Sequence, residues 1–277
     1  TFLSAVSEYG VTRTCLVPTA IEAVVQALHN YPADLTSLRS VMYAGSPIAS
    51  HTLRSVIDAF DCDLVQFYGT TETFIITLLR PDQHRLDAAQ ILRSCGQPMP
   101  PVRVRLIDDN GADVSDGVPG EVLVRSPWMF GGYWRNQEAT QAVLSDGWYH
   151  TGDVAFRDQD GNLHLVDRLK DMIVTGGENV YAAEVERALE AHPAVAAAAV
   201  VGAPDERWGE RVVAFVVPVD DMHVDADGLA LHCREIIAGY KVPKEIHLVD
   251  ELPMTASGKV RKDQLRELAR SKQRRQR

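Results

Sequence analysis

The chain has 277 residues, 45% of them apolar and 24% charged, which is enough for one large or two ordinary domains with buried cores. No run of eighteen apolar residues and no low-complexity tract occurs, so a membrane-spanning helix and an intrinsically disordered chain are both excluded. The net charge of −10 hides an asymmetry: from Lys259 onward the balance is +7, leaving −17 on the rest, and so acidic a body excludes nucleic acid as a partner.

In chain order, apolar segments at 11–18, 38–44 and 64–68 alternate with helical periodicity at 20–28 and 48–60. This alternation predicts a parallel, helix-covered sheet. A sheet of so few parallel strands exposes an edge, so the expectation is a partial α/β subdomain whose remaining strands lie ahead of Thr1. From about Cys95 the texture changes to short β segments at 102–107, 121–125, 154–157 and 163–166, broken by Asp109-Asn-Gly111 and Asp160-Gly161, which predicts a small β-barrel-like subdomain. Beyond Asp171 a third texture predicts a separate C-terminal α+β domain: a helix at 182–191, strands at 195–201 and 212–217, a helix at 229–238 and a strand at 246–249. The fold class is therefore α/β, with divisions at 1–94, 95–169 and 170–277.

Four scattered cysteines, Cys15, Cys62, Cys95 and Cys233, form no C-x-x-C pair and read as buried thiols in a reducing, cytoplasmic setting. Thr1 is preceded by neither an initiator Met nor a leader, so the expectation is that the chain begins inside something larger or has been trimmed. The basic end from Arg270 reads either as an interaction arm or as a frayed, solvated helix end.

Four segments carry residues suited to chemistry. Gln66-Phe-Tyr-Gly-Thr-Thr-Glu-Thr73 sits where a predicted strand ends, the place at which open α/β sheets bind ligands. There Thr70 and Thr71 suit phosphate, Glu72 suits a magnesium ion and Tyr68 offers a flat face to a base, although a turn rich in Thr and Gly is structural more often than not. In Asp146-Gly-Trp-Tyr-His-Thr-Gly-Asp153 and Asp167-Arg-Leu-Lys-Asp171, Asp153 suits the vicinal hydroxyls of a ribose and Arg168 supplies donors; a turn cap and a surface ion pair remain the alternatives. Thr175-Gly-Gly-Glu-Asn179 reads as a loop entering a helix, with amides open to a ligand or with no ligand at all. Pro253-Met-Thr-Ala-Ser-Gly-Lys259 places one lysine on a flexible loop, able to bring a cation to a phosphate or simply solvated.

The ordered set is more specific than its parts. Tyr-Gly-x-Thr-Glu, Gly-Trp-x-x-Thr-Gly-Asp, Asp-Arg-x-Lys-Asp-Met-Ile with Gly-Gly-Glu-Asn, and Ser-Gly-Lys, in this order across the whole chain, resemble the adenylate-forming superfamily of acyl- and aryl-CoA synthetases, luciferases and peptide-synthetase adenylation domains. Tyr43-Ala-Gly-Ser-Pro47 and Gly176-Gly-Glu-Asn-Val-Tyr181 are most similar to the bacterial fatty-acyl-CoA synthetases.

The resemblance implies activation of a carboxylic acid by ATP to an acyl adenylate, followed by transfer to CoA, with Mg2+ as the metal cofactor. It implies that Gly45, Ser46 and Pro47 line the adenine and acyl pocket, that Gln66, Phe67 and Tyr68 form the adenine wall beside Gly69 and Thr70, and that Thr71 contacts the α-phosphate while Glu72 holds the metal. Asp153 and Arg168 are implied to hold the ribose, Lys170 to be the hinge of a mobile small domain, and Lys259 to serve adenylation. Gly176 and Gly177 are implied to lie along the pantetheine tunnel with Asn179 near the adenylate. The family's phosphate-gripping loop is expected ahead of Thr1. Partners are then a small carboxylic acid, ATP and CoA, and a homodimer is left open. A non-catalytic truncated fragment, an aryl-CoA ligase, a peptide-synthetase adenylation domain and a nucleotide-binding regulator without chemistry are the competing readings.

Overall fold

The computed structural model describes residues 2–45, 48, 50–85, 87, 90–220, 222–255 and 259–275, with the side chains of 50, 51 and 272–275 left aside. The chain forms two compact units, Thr1–Leu165 and Val166–Arg277.

The first unit opens with α1 (Phe2–Tyr9), β1 (Arg13–Leu16), α2 (Pro18–Asn30), β2 (Ser40–Tyr43), α3 (Ser50–Ala59) and β3 (Asp63–Thr70). Pro18 starts α2 because its fixed φ and missing N–H cost nothing in the first turn, and Ile21, Val24 and Val25 then share one buried face. Strands β1, β2 and β3 are parallel, as expected, with Arg13 opposite Ser40 and Ser40 opposite Asp63. The sheet is not purely parallel, however. β4 (Phe74–Leu79) returns antiparallel along β3, and β5 (Gln97–Pro98) extends that run, giving the order β1-β2-β3-β4-β5. Val41, Tyr43 and Leu64 meet the buried faces of α1, α2 and α3 in one core.

A second sheet follows, built from β6 (Arg103–Ile107), β7 (Gly120–Arg125), α4 (Gln137–Val143), β8 (Leu144–Ser145), β9 (Trp148–Arg157) and β10 (Leu163–Arg168). Its order is β10-β9-β7-β6 with β8 paired to β9. Val122, Val124, Ala155 and Leu163 from this sheet pack with Tyr68 and Ile76 from the first and with Cys95 just ahead of β5, so one core joins the two sheets of the unit.

In the second unit, β11 (Ile173–Thr175), β12 (Glu178–Val180), α5 (Ala182–Glu190), β13 (Val195–Asp205), β14 (Gly209–Pro218), α6 (Ala226–Ile236), β15 (Glu245–Leu248) and α7 (Lys262–Arg275) surround a central β14, flanked by β11, β13 and β15. The period-two alternation of β14 divides its apolar run between two faces. Val212, Ala214 and Val216 pack with Val185 and Leu189 of α5 and Leu229 of α6, while Val213 and Phe215 pack with Leu265 and Ala269 of α7. A central strand apolar on both faces is what a sheet covered on both sides requires.

Candidate active site

β3 does not stop at Phe67: it runs through Gly69 and Thr70 into a tight turn at Thr71–Thr73 and back along β4. The register slips between Tyr68 and Gly69, and a Cβ on Gly69 would lie 1.8 Å from the Phe74 carbonyl oxygen, so only glycine fits this crossing. Phe74 leaves the turn at φ 56°, a left-handed conformation uncommon for an aromatic residue. The hydroxyl of Thr70 is engaged within the turn, 3.0 Å from that of buried Thr73, whose N–H it also accepts at 3.2 Å. Thr71, at the tip, is exposed.

Gln66, Phe67 and Tyr68 alternate across β3, so a wall built from all three uses main chain as well as side chains. Tyr68 is buried, and its hydroxyl donates to Oδ2 of buried Asp153 at 2.7 Å. Burial and the neighbouring Asp153 carboxylate push this phenol well above the usual tyrosine value, which makes it a permanent donor. The Asp153 turn is itself fastened: the Thr151 hydroxyl donates to the Val122 carbonyl at 2.8 Å and accepts the Asp153 N–H at 3.0 Å, while Glu121 accepts the Gly152 N–H at 3.3 Å and faces His150 Nδ1 at 3.0 Å. The hydroxyl of Tyr43 lies 2.9 Å from Nε2 of His84 and 3.4 Å from Gln66 Oε1.

Glu72 is gripped by the segment between β7 and α4, which carries none of the motifs. Its main-chain carbonyl accepts the Phe130 N–H at 2.8 Å, and its Oε1 accepts the Tyr133 hydroxyl at 2.7 Å. Burial opposes the Glu72 charge, but hydrogen bonds from Tyr133, Thr70 and Tyr149 outweigh it and hold the carboxyl below its ordinary value. Phe130 packs edge-on against Tyr133 and Tyr149, at ring separations of 5.0 and 5.7 Å. Among the described residues no group of three or more His, Cys, Asp or Glu forms a cage for a metal. A single carboxylate such as Glu72 fits Mg2+ only in the manner of a site completed by substrate phosphates and water.

Of the remaining predicted residues, Gly45 is exposed just beyond β2, and Arg168, Lys170, Gly176, Gly177, Asn179 and Lys259 belong to the second unit. Ser46 and Pro47 fall outside the described residues, as do Ser257 and Gly258. Arg168 ends β10, and Asp167 beside it accepts the Ala183 N–H at the start of α5 at 3.1 Å. Lys170 sits in a 3-10 turn, and Arg266 of α7 reaches back to that turn, donating to the Lys170 carbonyl at 3.1 Å and to Asp171 Oδ1 at 2.5 Å. The Gly-Gly segment is not a helix entrance. Gly176 and Gly177, at φ 62° and 85°, are the two-residue turn of a β11–β12 hairpin that pairs Thr175 with Glu178 and Val174 with Asn179. Two successive positive φ values are the requirement of the type I′ hairpin turn, and Trp208 covers Gly176 so closely that a Cβ would lie 2.9 Å from its ring. Exposed Lys259 stands at the foot of a loop closed by a Met254–Val260 bridge, its N–H on the Thr255 hydroxyl at 3.0 Å.

Residues 1–134 match the model of the AMP-binding enzymes and residues 184–259 that of the AMP-binding enzyme C-terminal domain; the chain belongs to this adenylate-forming family. Its relatives include a feruloyl-CoA synthase from an Amycolatopsis species, 44% identical over 95% of this chain and 53% of the relative, and the indoleacetate–CoA ligase of Aromatoleum aromaticum, 42% identical over 97% and 52%. The amide bond synthetase McbA from Marinactinospora thermotolerans has a similar structure, with a TM-score of 0.86 and 39% identity over 96% of this chain and 54% of that one. The chain thus spans about half the length of the relatives it matches.

Proposed function

We propose that the full protein is an AMP-forming acid–CoA ligase. In the first half-reaction a carboxylate oxygen of the substrate attacks the α-phosphorus of ATP and pyrophosphate leaves. In the second, the CoA sulfur attacks the acyl carbonyl, its proton passes to solvent, and AMP leaves. The observation that carries this reading is the pair of fixed carboxylates on the β3–β4 hairpin side of the first unit: buried Asp153 held by the Tyr68 phenol, and Glu72 held by that of Tyr133.

Each residue then has a role set by its chemistry. Asp153 and Arg168 hold the ribose hydroxyls, Thr71 donates to the α-phosphate, and Glu72 contributes the protein's ligand to Mg2+, which when bound neutralises charge on the phosphates. Lys259 brings a cation to adenylation; Lys170 is the hinge for thioester formation, which uses Gly176, Gly177 and Asn179. Gly45, Ser46 and Pro47 contribute to the nucleotide and acyl pocket.

The motif wording favours a fatty acid, whereas the names of the feruloyl- and indoleacetate-activating relatives favour an aromatic one. ATP–pyrophosphate exchange by the full-length protein across fatty and aromatic acids tests both: exchange with one class assigns the substrate, and exchange with neither defeats the ligase reading. Lys259→Ala is expected to abolish exchange while sparing thioester formation from a supplied acyl adenylate. Equal loss of both activities would remove Lys259 from its role.

A further inference from the structure

We propose that Tyr133 is the positioning residue for Glu72, fixing the carboxylate for Mg2+·ATP through a hydrogen bond supplied by the loop between β7 and α4. The inference rests on the reading of Glu72 as a metal ligand, and adds to it the residue through which the loop acts. Sixty-one positions separate the two in sequence, yet the Tyr133 hydroxyl lies 2.7 Å from Glu72 Oε1. The contact is built rather than incidental. The same loop also binds the Glu72 main chain through the Phe130 N–H at 2.8 Å, so the residue is held at both its backbone and its carboxylate. The loop is anchored in turn at its far end: the Tyr133 N–H donates to the Thr140 hydroxyl at 2.9 Å, that hydroxyl donates to the Asn136 carbonyl at 2.8 Å, and the Asn136 side chain caps α4 through the Ala139 N–H at 3.0 Å. Phe130, edge-on to Tyr133 and Tyr149, sets the ring orientation from which the phenol points.

The consequence is a division of labour within one carboxylate. Tyr133 commits Oε1 to a neutral donor and, alongside Thr70 and Tyr149, restrains the side-chain rotation that a surface glutamate would otherwise keep. A cation bound by one protein carboxylate and several phosphate oxygens is sensitive to the placement of that carboxylate, because little else in the protein orients it. Tyr133 itself touches neither nucleotide nor acid in this scheme.

The test is calorimetric binding of α,β-methylene-ATP, in which the bond to be broken is replaced by a methylene bridge, to the full-length protein in excess Mg2+ and in EDTA. Wild-type protein gains affinity on addition of Mg2+. Glu72→Gln is expected to lose that gain, Tyr133→Phe to reduce it about tenfold, the lower end for a hydrogen bond to a charged group, and the double variant to match Glu72→Gln alone. Binding in EDTA should be unchanged in Tyr133→Phe, and equal or tighter in the two proteins that carry Glu72→Gln, which lack the carboxylate's repulsion of the phosphates. Tyr133 is 37% exposed, and phenylalanine keeps its ring contacts, so the variant retains the fold. If Tyr133→Phe keeps the full Mg2+ gain while Glu72→Gln loses it, the positioning role is overturned and the Glu72 reading survives. If Glu72→Gln keeps the gain, both fall. If Tyr133→Phe weakens binding equally with and without Mg2+, the residue shapes the nucleotide pocket instead, which also overturns the proposal.

Discussion

Removing the Tyr68 hydroxyl isolates one interaction at the centre of the site. Tyr68→Phe leaves the ring in the core with Ile76, Cys95 and Val122, so no cavity opens and the change is confined to the donor on Asp153. Losing a hydrogen bond to a charged acceptor costs about 1.5–3 kcal/mol. Tyr68 and Asp153 are each only 9% exposed, which keeps water from substituting freely, while Asp153 retains the support of its turn through the Thr151 hydroxyl. The expected loss is therefore near the middle of that range, about 2 kcal/mol, or roughly 4–8 °C in the unfolding of a unit of this size. Urea unfolding of the full-length protein measures the first quantity. Binding of ATP against 2′-deoxy-ATP measures the functional one, since an Asp153 freed of Tyr68 should discriminate the ribose hydroxyl less. A stability change under about 0.5 kcal/mol together with unaltered discrimination would refute the reasoning, because it would mean that water replaces the phenol without penalty.

Two further outcomes test the packing around the site and in the second unit. Arg211 is 6% exposed, with Nε on Glu245 Oε1 at 3.0 Å and Nη1 on the Pro204 carbonyl at 2.5 Å, so Glu245→Ala strands a buried cation. It should cost about 2–4 kcal/mol by urea unfolding, whereas Arg211→Met with Glu245→Leu should stay within about 1 kcal/mol of wild type; equal losses would show that the pair's charge is not what matters. His84 is held below its ordinary value of 6.5 because burial disfavours the imidazolium, so its contribution to stability is complete above pH 6.5 and is lost as pH falls through its lower folded value. Unfolding measured between pH 7.5 and 5 should fall by up to about 1.4 kcal/mol per pH unit from this group and flatten in His84→Gln, with an unchanged slope in the variant counting against it.

Residues close in sequence were readable and residues far apart were not. The apolar spacing of Ala182, Val185, Ala188 and Leu189 marks the buried face of α5, and the unbroken apolar run at 212–217 lies within β14. A glycine pair five residues ahead of α5 fits a helix entrance or a plain loop equally in sequence; the signal that marks the hairpin is a glycine pair between two short β-type runs. The parallel reading of the first sheet missed β4, an apolar run that periodicity alone does not orient, and the return at Thr71–Thr73 decides its direction. Glu121, Tyr133 and Tyr149 were not singled out because nothing local distinguishes them. Their importance comes from tertiary contacts with Gly152 and Glu72, 31 and 61 positions away for Glu121 and Tyr133.

The hydrogen bonds from Arg266 to the Lys170 carbonyl and the Asp171 carboxylate join residues 96 and 95 positions apart. Because α7 holds the turn that contains the proposed pivot, a change on α7 is felt at that turn without touching any ligand. A fusion tag, a proteolytic nick or a modification on α7 would then alter how readily that turn gives way, so a label placed on this helix is itself a perturbation of the turn it is meant to report on.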